Sequence, residues 1–489
     1  MSFFRIVSLS FKTYRSGFSL WGRGFPLYVQ YPKSLLLALI GSLFLWVICY
    51  PGFMSWDSIY QYREAMIGTY TDWHPPIMAF ILSLVFRMGG DVWTITLLQS
   101  VAGWMGIRSL SLSVAHMVLD QRSDPDRIAS IVSILLFSPL SPLPVFTLTF
   151  WKDTWLAILL VWCIAILFHV ALQLHKEKML FSTSLIVFGL LTGLAGVVRH
   201  NGIVITAVAS LAMAFIPLLA HQRRLLLLAP IPLLVFGLVN TFQLMVLKPR
   251  KMHPEQQVYA ISLVSMVKLN PRLLDVLPFT RANLHSDFQS EFRIGDTASA
   301  FIYGEKTVVE RAFTDPMNIS ILRDEFLRAI KADPRSWFRA QWITYVDFLR
   351  PKQRYTLHPA IEPNEFGLAL NTRFSIFRER MLYLTAMVEN GILRWFFFVH
   401  LPWYLLDFLG ILLMLGRTTL TSNSLGQAQQ TVITFGLLIP FSYSLSYFVV
   451  VTAPDFRFMY PSTLVVQVIF CTYLLCRILQ SVEGHHAKG

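Results

Sequence analysis

The sequence predicts an all-α polytopic membrane protein with about ten transmembrane helices, and three observations support this. Of the 489 residues, 55% are hydrophobic, and mean hydropathy is +0.54. Only 14% are charged, against about 25% in soluble domains. Repeated apolar runs reach the ~20 residues that cross a ~30 Å hydrocarbon core.

The first run, 34–50, follows Arg5, Lys12, Arg15, Arg23 and Lys33. It has no small-residue cleavage site behind it, so it reads as a retained span with its basic flank in the cytoplasm. The stretch 76–90 is apolar but short, opening at Pro75-Pro76 and closing at Gly89-Gly90. It predicts a helix that lies along the interface or dips back, without spanning. Further spans are expected at 93–118, 128–149, 154–174, 180–198, 203–220 and 225–247, and then at 395–416, 431–451 and 462–480.

With the N-terminus inside, ten spans place Arg122, Arg127, Lys176, Lys178, Arg223, Arg224, Arg417 and Lys488 in the cytoplasm, as the positive-inside rule requires. The same parity puts Asp57–Pro76, Trp151–Asp153, Arg199–Gly202 and Asp455–Pro461 on the opposite side, towards the periplasm or exterior of a cell inner membrane.

Three regions follow. Residues 1–247 form an N-terminal membrane module with the first seven spans, 248–394 a small, mostly helical extracytoplasmic domain, and 395–489 a C-terminal module with three spans. The middle region mixes charge with helical apolar spacing, as in Ile321-Leu322…Phe326-Leu327…Ile330. No internal repeat is evident, which weakens an inverted-repeat transporter.

The formal charge of +13 sits at span ends and in the middle region, so it reads as a topology signal and contact with anionic lipid. No basic stripe with interleaved aromatics is present, and nucleic acid is set aside. Cys49, Cys163, Cys471 and Cys476 fall within or at the edge of spans without metal-ligand spacing, and read as packing residues.

Four polar clusters interrupt the apolar pattern on the outer side. Asp57 follows the first span closely, and Asp72-Trp73-His74 adds a second acid and an imidazole. A carboxylate at the membrane surface can hold or deprotonate an attacking hydroxyl, although Ser55 or Asp57 could equally cap an interfacial helix. Lys152-Asp153 is either a local ion pair or a phosphate and acid-site pair. Arg199-His200-Asn201-Gly202 places cationic groups where the charge rule does not ask for them, and arginine suits phosphate oxygens. Asp455, Arg457 and Tyr460 form the fourth cluster, in which an aromatic belt accounts for Phe458 and Tyr460 but not for the charges. An anionic, phosphate-bearing substrate at the lipid–water boundary is the economical inference.

Asp57 after the first span, His74-Pro75-Pro76, Asp153 in the second outer loop and the late Arg457…Tyr460-Pro461 together resemble the GT-C superfamily of integral membrane glycosyltransferases. The likeness is to its polyprenyl-phosphate-sugar-dependent members of the protein mannosyltransferase and aminoarabinose transferase type. It implies an enzyme moving a sugar from a polyprenyl-phosphate carrier to a hydroxyl of a cell-envelope glycan, lipid or protein. Asp57, Asp153 and His74 would be catalytic, while Asp72, Lys152, Arg199, His200, Asn201, Asp455, Arg457 and Tyr460 would hold substrate. No cofactor is required by the resemblance. Some members bind a divalent metal (Mg or Mn) at the second-loop acid, but here Lys152 stands where those members carry another acid. The alternative is a transporter or flippase for a lipid-linked or anionic solute. It calls for ionisable groups deep in the spans, for which Arg108 is the clearest candidate.

Overall fold

In the computed structural model, residues 28–119, 124–177, 179–295, 307–313, 315–351, 364–421, 423–450 and 454–486 are described. Arg5, Lys12, Arg15, Arg23, Arg122, Lys178 and Lys488, used for the topology expectation, lie outside them. The described residues are helical and contain no strand, only isolated bridges such as Phe53 with Thr149 and Thr71 with Arg250.

The first described helix is α1 (Pro32–Ile48), started by a proline in its first turn, where a missing N–H costs nothing. Asp126 accepts from the amides of Lys33 at 3.1 Å and Ser34 at 2.9 Å, covering two of the donors that a helix start leaves open. Next comes α2 (Trp56–Ile67), with Ser55 as its N-cap and Gly68 closing it at φ 75°. The expected non-spanning helix is α3 (Ile77–Arg87). Eleven residues rise only about 16 Å, and α3 meets α4 (Val92–Val118) at 115°.

The run 128–149, expected as one span, is divided. Helix α5 (Pro125–Leu136) stops before Pro139, and the five-residue α6 (Leu143–Thr147) follows Pro142. Each proline removes a donor and biases its predecessor away from helix. The remaining membrane elements are α7 (Lys152–Lys176), α8 (Ser182–Val198), α9 (Ile203–Leu219) and α10 (Ile231–Phe242).

Among the described residues, five helical stretches are long and apolar enough to cross a membrane: Lys152–Lys176, His200–Leu219, Arg223–Leu247, Leu401–Thr419 and Phe456–Val482. The α3–α4 pair makes a sixth if counted as one broken span, and α1 and α8 are shorter apolar helices. Helices thus stand at the expected positions except over the divided 128–149, while about ten full crossings are not established by length and composition. The main core gathers around α7, whose Leu160, Cys163, Ile164, Ala165 and Leu167 are fully buried.

The middle region builds a second, smaller core. In it α11 (Gln256–Leu269) packs on α12 (Ile319–Ala332) and on the start of α13 (Pro334–Leu349), burying Leu263, Val264, Met266, Leu322 and Ala329. The end of α13 (Tyr345, Phe348) and α14 (Ser375–Asn390; Met381, Val388) join the main core instead. The chain finishes with α15 (Leu401–Leu420), α16 (Ser424–Ser446) and α17 (Phe456–His486).

Candidate active site

Two loops are stapled together at the mouth of the bundle. The Phe53 amide donates to the Leu148 carbonyl at 2.8 Å, and the Phe150 amide donates back to the Phe53 carbonyl at 3.1 Å. The Ser58 hydroxyl donates to the Phe150 carbonyl at 2.6 Å, and the Trp151 indole donates to the Ser55 hydroxyl at 2.6 Å. Because Ser55 and Ser58 together form the capping box of α2, Asp57 is spared that duty. Its carboxylate faces Arg457 and His74, and these two side chains also approach Asp153 and Lys152 in the first turn of α7.

The other two clusters close on the same point. After α8 the backbone extends through Arg199 and turns tightly over His200–Gly202. A Cβ at Gly202 would come within 2.6 Å of the Gly196 carbonyl oxygen, so only glycine fits the turn. The Arg199 guanidinium pairs with Asp153 and lies 4.2 Å over the Phe458 ring, a cation–π contact. At the start of α17, Arg457 reaches Asp57 at 2.7 Å, Asp455 at 2.9 Å and Asp153 at 3.9 Å. Its guanidinium sits 5.2 Å from both the Trp151 and Phe458 ring centres.

Asp57, Lys152, Asp153, Arg199, Asp455 and Arg457 therefore form one cluster of three carboxylates and three cations, with His74 between them. Lys152 Nζ lies 2.7 Å from His74 Nδ1. An ammonium can only donate, which leaves Nε2 as the protonated ring nitrogen, 3.7 Å from Asp57. Burial, and next the Lys152 charge, keep the His74 pKa well below its ordinary value, so the ring is neutral. For Asp57, burial opposes ionisation, but Arg457 above all, with Lys152 behind it, outweighs it and holds the carboxyl well below the usual carboxylate range. At Arg199 burial works against the charge, and Asp153 more than restores it, raising the pKa. Asp153 is fully buried, whereas the Asp57 side chain is 28% exposed. Of the two acids, Asp57 is the one a substrate can meet.

The other expected substrate-binding residues sit around this cluster. Asp72 accepts from the Met252 amide at 2.5 Å, and its own amide donates to the Arg250 carbonyl at 3.1 Å, pinning the first loop to the start of the middle region. His200 is exposed beside the turn. Asn201 donates to the Ser446 hydroxyl at 2.9 Å, tying the turn to α16. Tyr460 is fully buried, its ring packed on Phe146 and Phe456, and belongs to the core.

A divalent metal does not fit this donor set. Asp153 is already matched by Arg199 and approached by Arg457, and no group of three His, Cys, Asp or Glu among the described residues could hold an ion.

From sequence alone an interfacial aromatic belt accounts for Phe458, and Trp151 has no role of its own. Their rings flank the two arginines. Adjacency to Arg457 and Lys152 was the available signal. Arg108, the clearest deep residue for a transporter, donates to Ser34 Oγ at 2.9 Å and to the carbonyls of Tyr28 and Tyr31 at 2.8 and 2.9 Å, fastening the chain that leads into α1. A buried acid in a span, Asp407, was missed.

No protein-family model matches the chain, and no curated protein matches it. It is similar to the solved structure of the oligosaccharyltransferase AglB from Archaeoglobus fulgidus in complex with an inhibitory peptide and a dolichol-phosphate. That pair is 15% identical with a TM-score of 0.41 over 94% of this chain and 51% of that one. It is also similar to an Archaeoglobus fulgidus oligosaccharyltransferase in complex with Zn and sulfate, with 14% identity and a TM-score of 0.38 over 91% of this chain and 51% of that one. The chain spans about half the length of these structures.

Proposed function

We propose that this chain is a membrane glycosyltransferase that moves a sugar from a polyprenyl-phosphate carrier to an acceptor hydroxyl of the cell envelope, on the outer side of the inner membrane. The observation that carries the reading is the cluster itself. Arg199, Arg457 and Lys152 come from three distant segments and converge at one end of apolar helices, Arg199 on the buried Asp153, Lys152 on His74 and Arg457 on the partly exposed Asp57. Such a site suits a substrate whose charged phosphate stays at the interface while its lipid tail lies along the helices.

In the reaction, the bond from the sugar's anomeric carbon to the phosphate oxygen breaks and a bond to the acceptor oxygen forms. Asp57 is strongly biased towards its ionised form, so it accepts a hydrogen bond from the acceptor hydroxyl and aims it rather than taking the proton early. The proton ends on the departing lipid phosphate. Arg457 and Arg199 stabilise charge as it builds on that phosphate, and Lys152, through His74, holds the imidazole N–H towards Asp57. Asp153 keeps Arg199 in place. The middle region, 248–394, selects the acceptor.

The test is transfer of labelled sugar from polyprenyl-phosphate donors by purified protein in a membrane mimetic. Wild type transfers, and Asp57→Asn loses about 10³-fold or more while inserting and unfolding normally. Equal transfer by Asp57→Asn would remove the carboxylate from the chemistry, and no transfer across a panel of donors and envelope acceptors would sink the enzyme reading.

A further inference from the structure

A second polar site lies inside the membrane part, separate from the charged cluster. A cavity of about 10 Å³, room for a single water-sized body, opens between α15, α16 and α17. His400, Tyr404, Asp407, Ser444, Ser462 and Thr463 line it. Asp407, only 3% exposed, sits in the Leu401–Thr419 span, and its Oδ1 has no hydrogen-bond partner. No salt bridge among the described residues reaches it. A carboxylate taken out of water without compensation is expensive, and ionisable groups at such depth normally have a task.

The cavity wall shows which kind of compensation is missing. His400 Nε2 is 3.0 Å from the Phe456 carbonyl oxygen, so it must carry the proton. The ring is buried and no salt bridge among the described residues reaches it, so it is neutral and Nδ1 is an acceptor. The Thr463 hydroxyl, 2.7 Å away, donates to it. The Ser462 hydroxyl donates to the Pro440 carbonyl at 2.7 Å. The donors of these three side chains are spent, and the oxygens of Ser462 and Thr463 turn lone pairs to the same cavity as the unpaired Asp407 oxygen, while the Tyr404 and Ser444 hydroxyls complete the lining. An ionised Asp407 among such oxygens suits one positive charge.

We infer that this cavity is a binding site for a single monovalent metal cation, sodium in the first instance, with Asp407 as its counter-charge and the Ser462 and Thr463 oxygens as neutral ligands. A divalent ion would exchange one uncompensated buried charge for another. The assignment does not rest on the glycosyltransferase reading. Occupancy would nevertheless reach the charged cluster, since His400 holds the Phe456 carbonyl and the next residue is Arg457.

The experiment is thermal unfolding of the full chain in a membrane mimetic, followed by tryptophan fluorescence, in NaCl, KCl, LiCl or N-methyl-D-glucamine chloride at equal ionic strength. Sodium raises Tm by about 3–5 °C in a saturable way over N-methyl-D-glucamine. Asp407→Asn removes that dependence and unfolds in N-methyl-D-glucamine no earlier than wild type. Should Asp407→Asn fail to fold, Ser462→Ala keeps the charge and shifts the sodium midpoint upward by tenfold or more. Equal midpoints for wild type in all four salts would overturn the proposal, as would a sodium effect that survives Asp407→Asn. A Tm that rises on acidification and ignores sodium would also overturn it, because it would mean that a proton occupies Asp407.

Discussion

At the residue scale, two carboxyls on α2, one partly exposed and one buried, show how surroundings divide one functional group into two behaviours. Asp57 is matched by Arg457 and stays charged, while Glu64, two turns further along α2, has no cation. Burial pushes the Glu64 pKa up to about 7, against two 2.7 Å hydrogen bonds from the amide and hydroxyl of Thr71. Its Oε2 is buried without a partner. For an acid whose folded pKa is raised, the stabilisation is complete below the unfolded value near 4.5 and is lost as pH rises through about 7. Glu64→Gln, which keeps an oxygen for Thr71, is therefore expected to raise Tm at pH 8 by the equivalent of roughly 1 kcal/mol. The gain should vanish near pH 4.5. A gain of equal size at both pH values would show that charge burial is not its source.

At the element scale, the Arg199–Gly202 turn carries more constraint than its length suggests. A Cβ at Gly202 meets the Gly196 carbonyl oxygen at 2.6 Å and that of Ala195 at 2.8 Å. Both are backbone atoms of α8 and cannot swing aside. Gly202→Ala should cost about 2 kcal/mol or more and should loosen Arg199 from Asp153, where an unmatched buried charge costs about 3–5 kcal/mol. A melting curve beside that of Gly68→Ala separates crowding from backbone strain. Gly68 sits at φ 75° with nothing within 4 Å of an added Cβ, so its substitution carries strain alone and should be the milder of the two.

The same turn illustrates what could be read from the chain beforehand. Charged residues at span ends, against the grain of the topology rule, picked out Asp57, Lys152, Asp153, Arg199 and Arg457, and the structure brings all five together. Their pairing could not be read, because Arg457 meets Asp57 across some 400 positions and only packing chooses partners. The division of 128–149 was missed because a hydropathy reading weighs side chains and is blind to the donors that Pro139, Pro142 and Pro144 lack. Asp407 escaped for a related reason. One acid in an apolar run looks tolerable until one of its oxygens proves to be buried without a partner.

At the scale of the whole molecule, the described residues form two main cores of unequal size, and they should fail separately. Leu322 is fully buried in the smaller one. Leu322→Ala should cost about 2–5 kcal/mol there. Hydrogen exchange should then quicken in α11 and α12 while α7 keeps its protection. Uniform loss of protection across both cores would show one cooperative unit.

The balance of three carboxylates against three cations at the mouth has a kinetic side. Asp57 and Asp153 are tethered competitors for the arginines, present at the high effective concentration that covalent attachment provides. An incoming anion must win a guanidinium from a resident oxygen, so its apparent affinity falls by the fraction of time the guanidinium is engaged. When chemistry leaves a weaker-held anion behind, the same carboxylate returns and speeds its departure, which favours rapid turnover over tight retention of product.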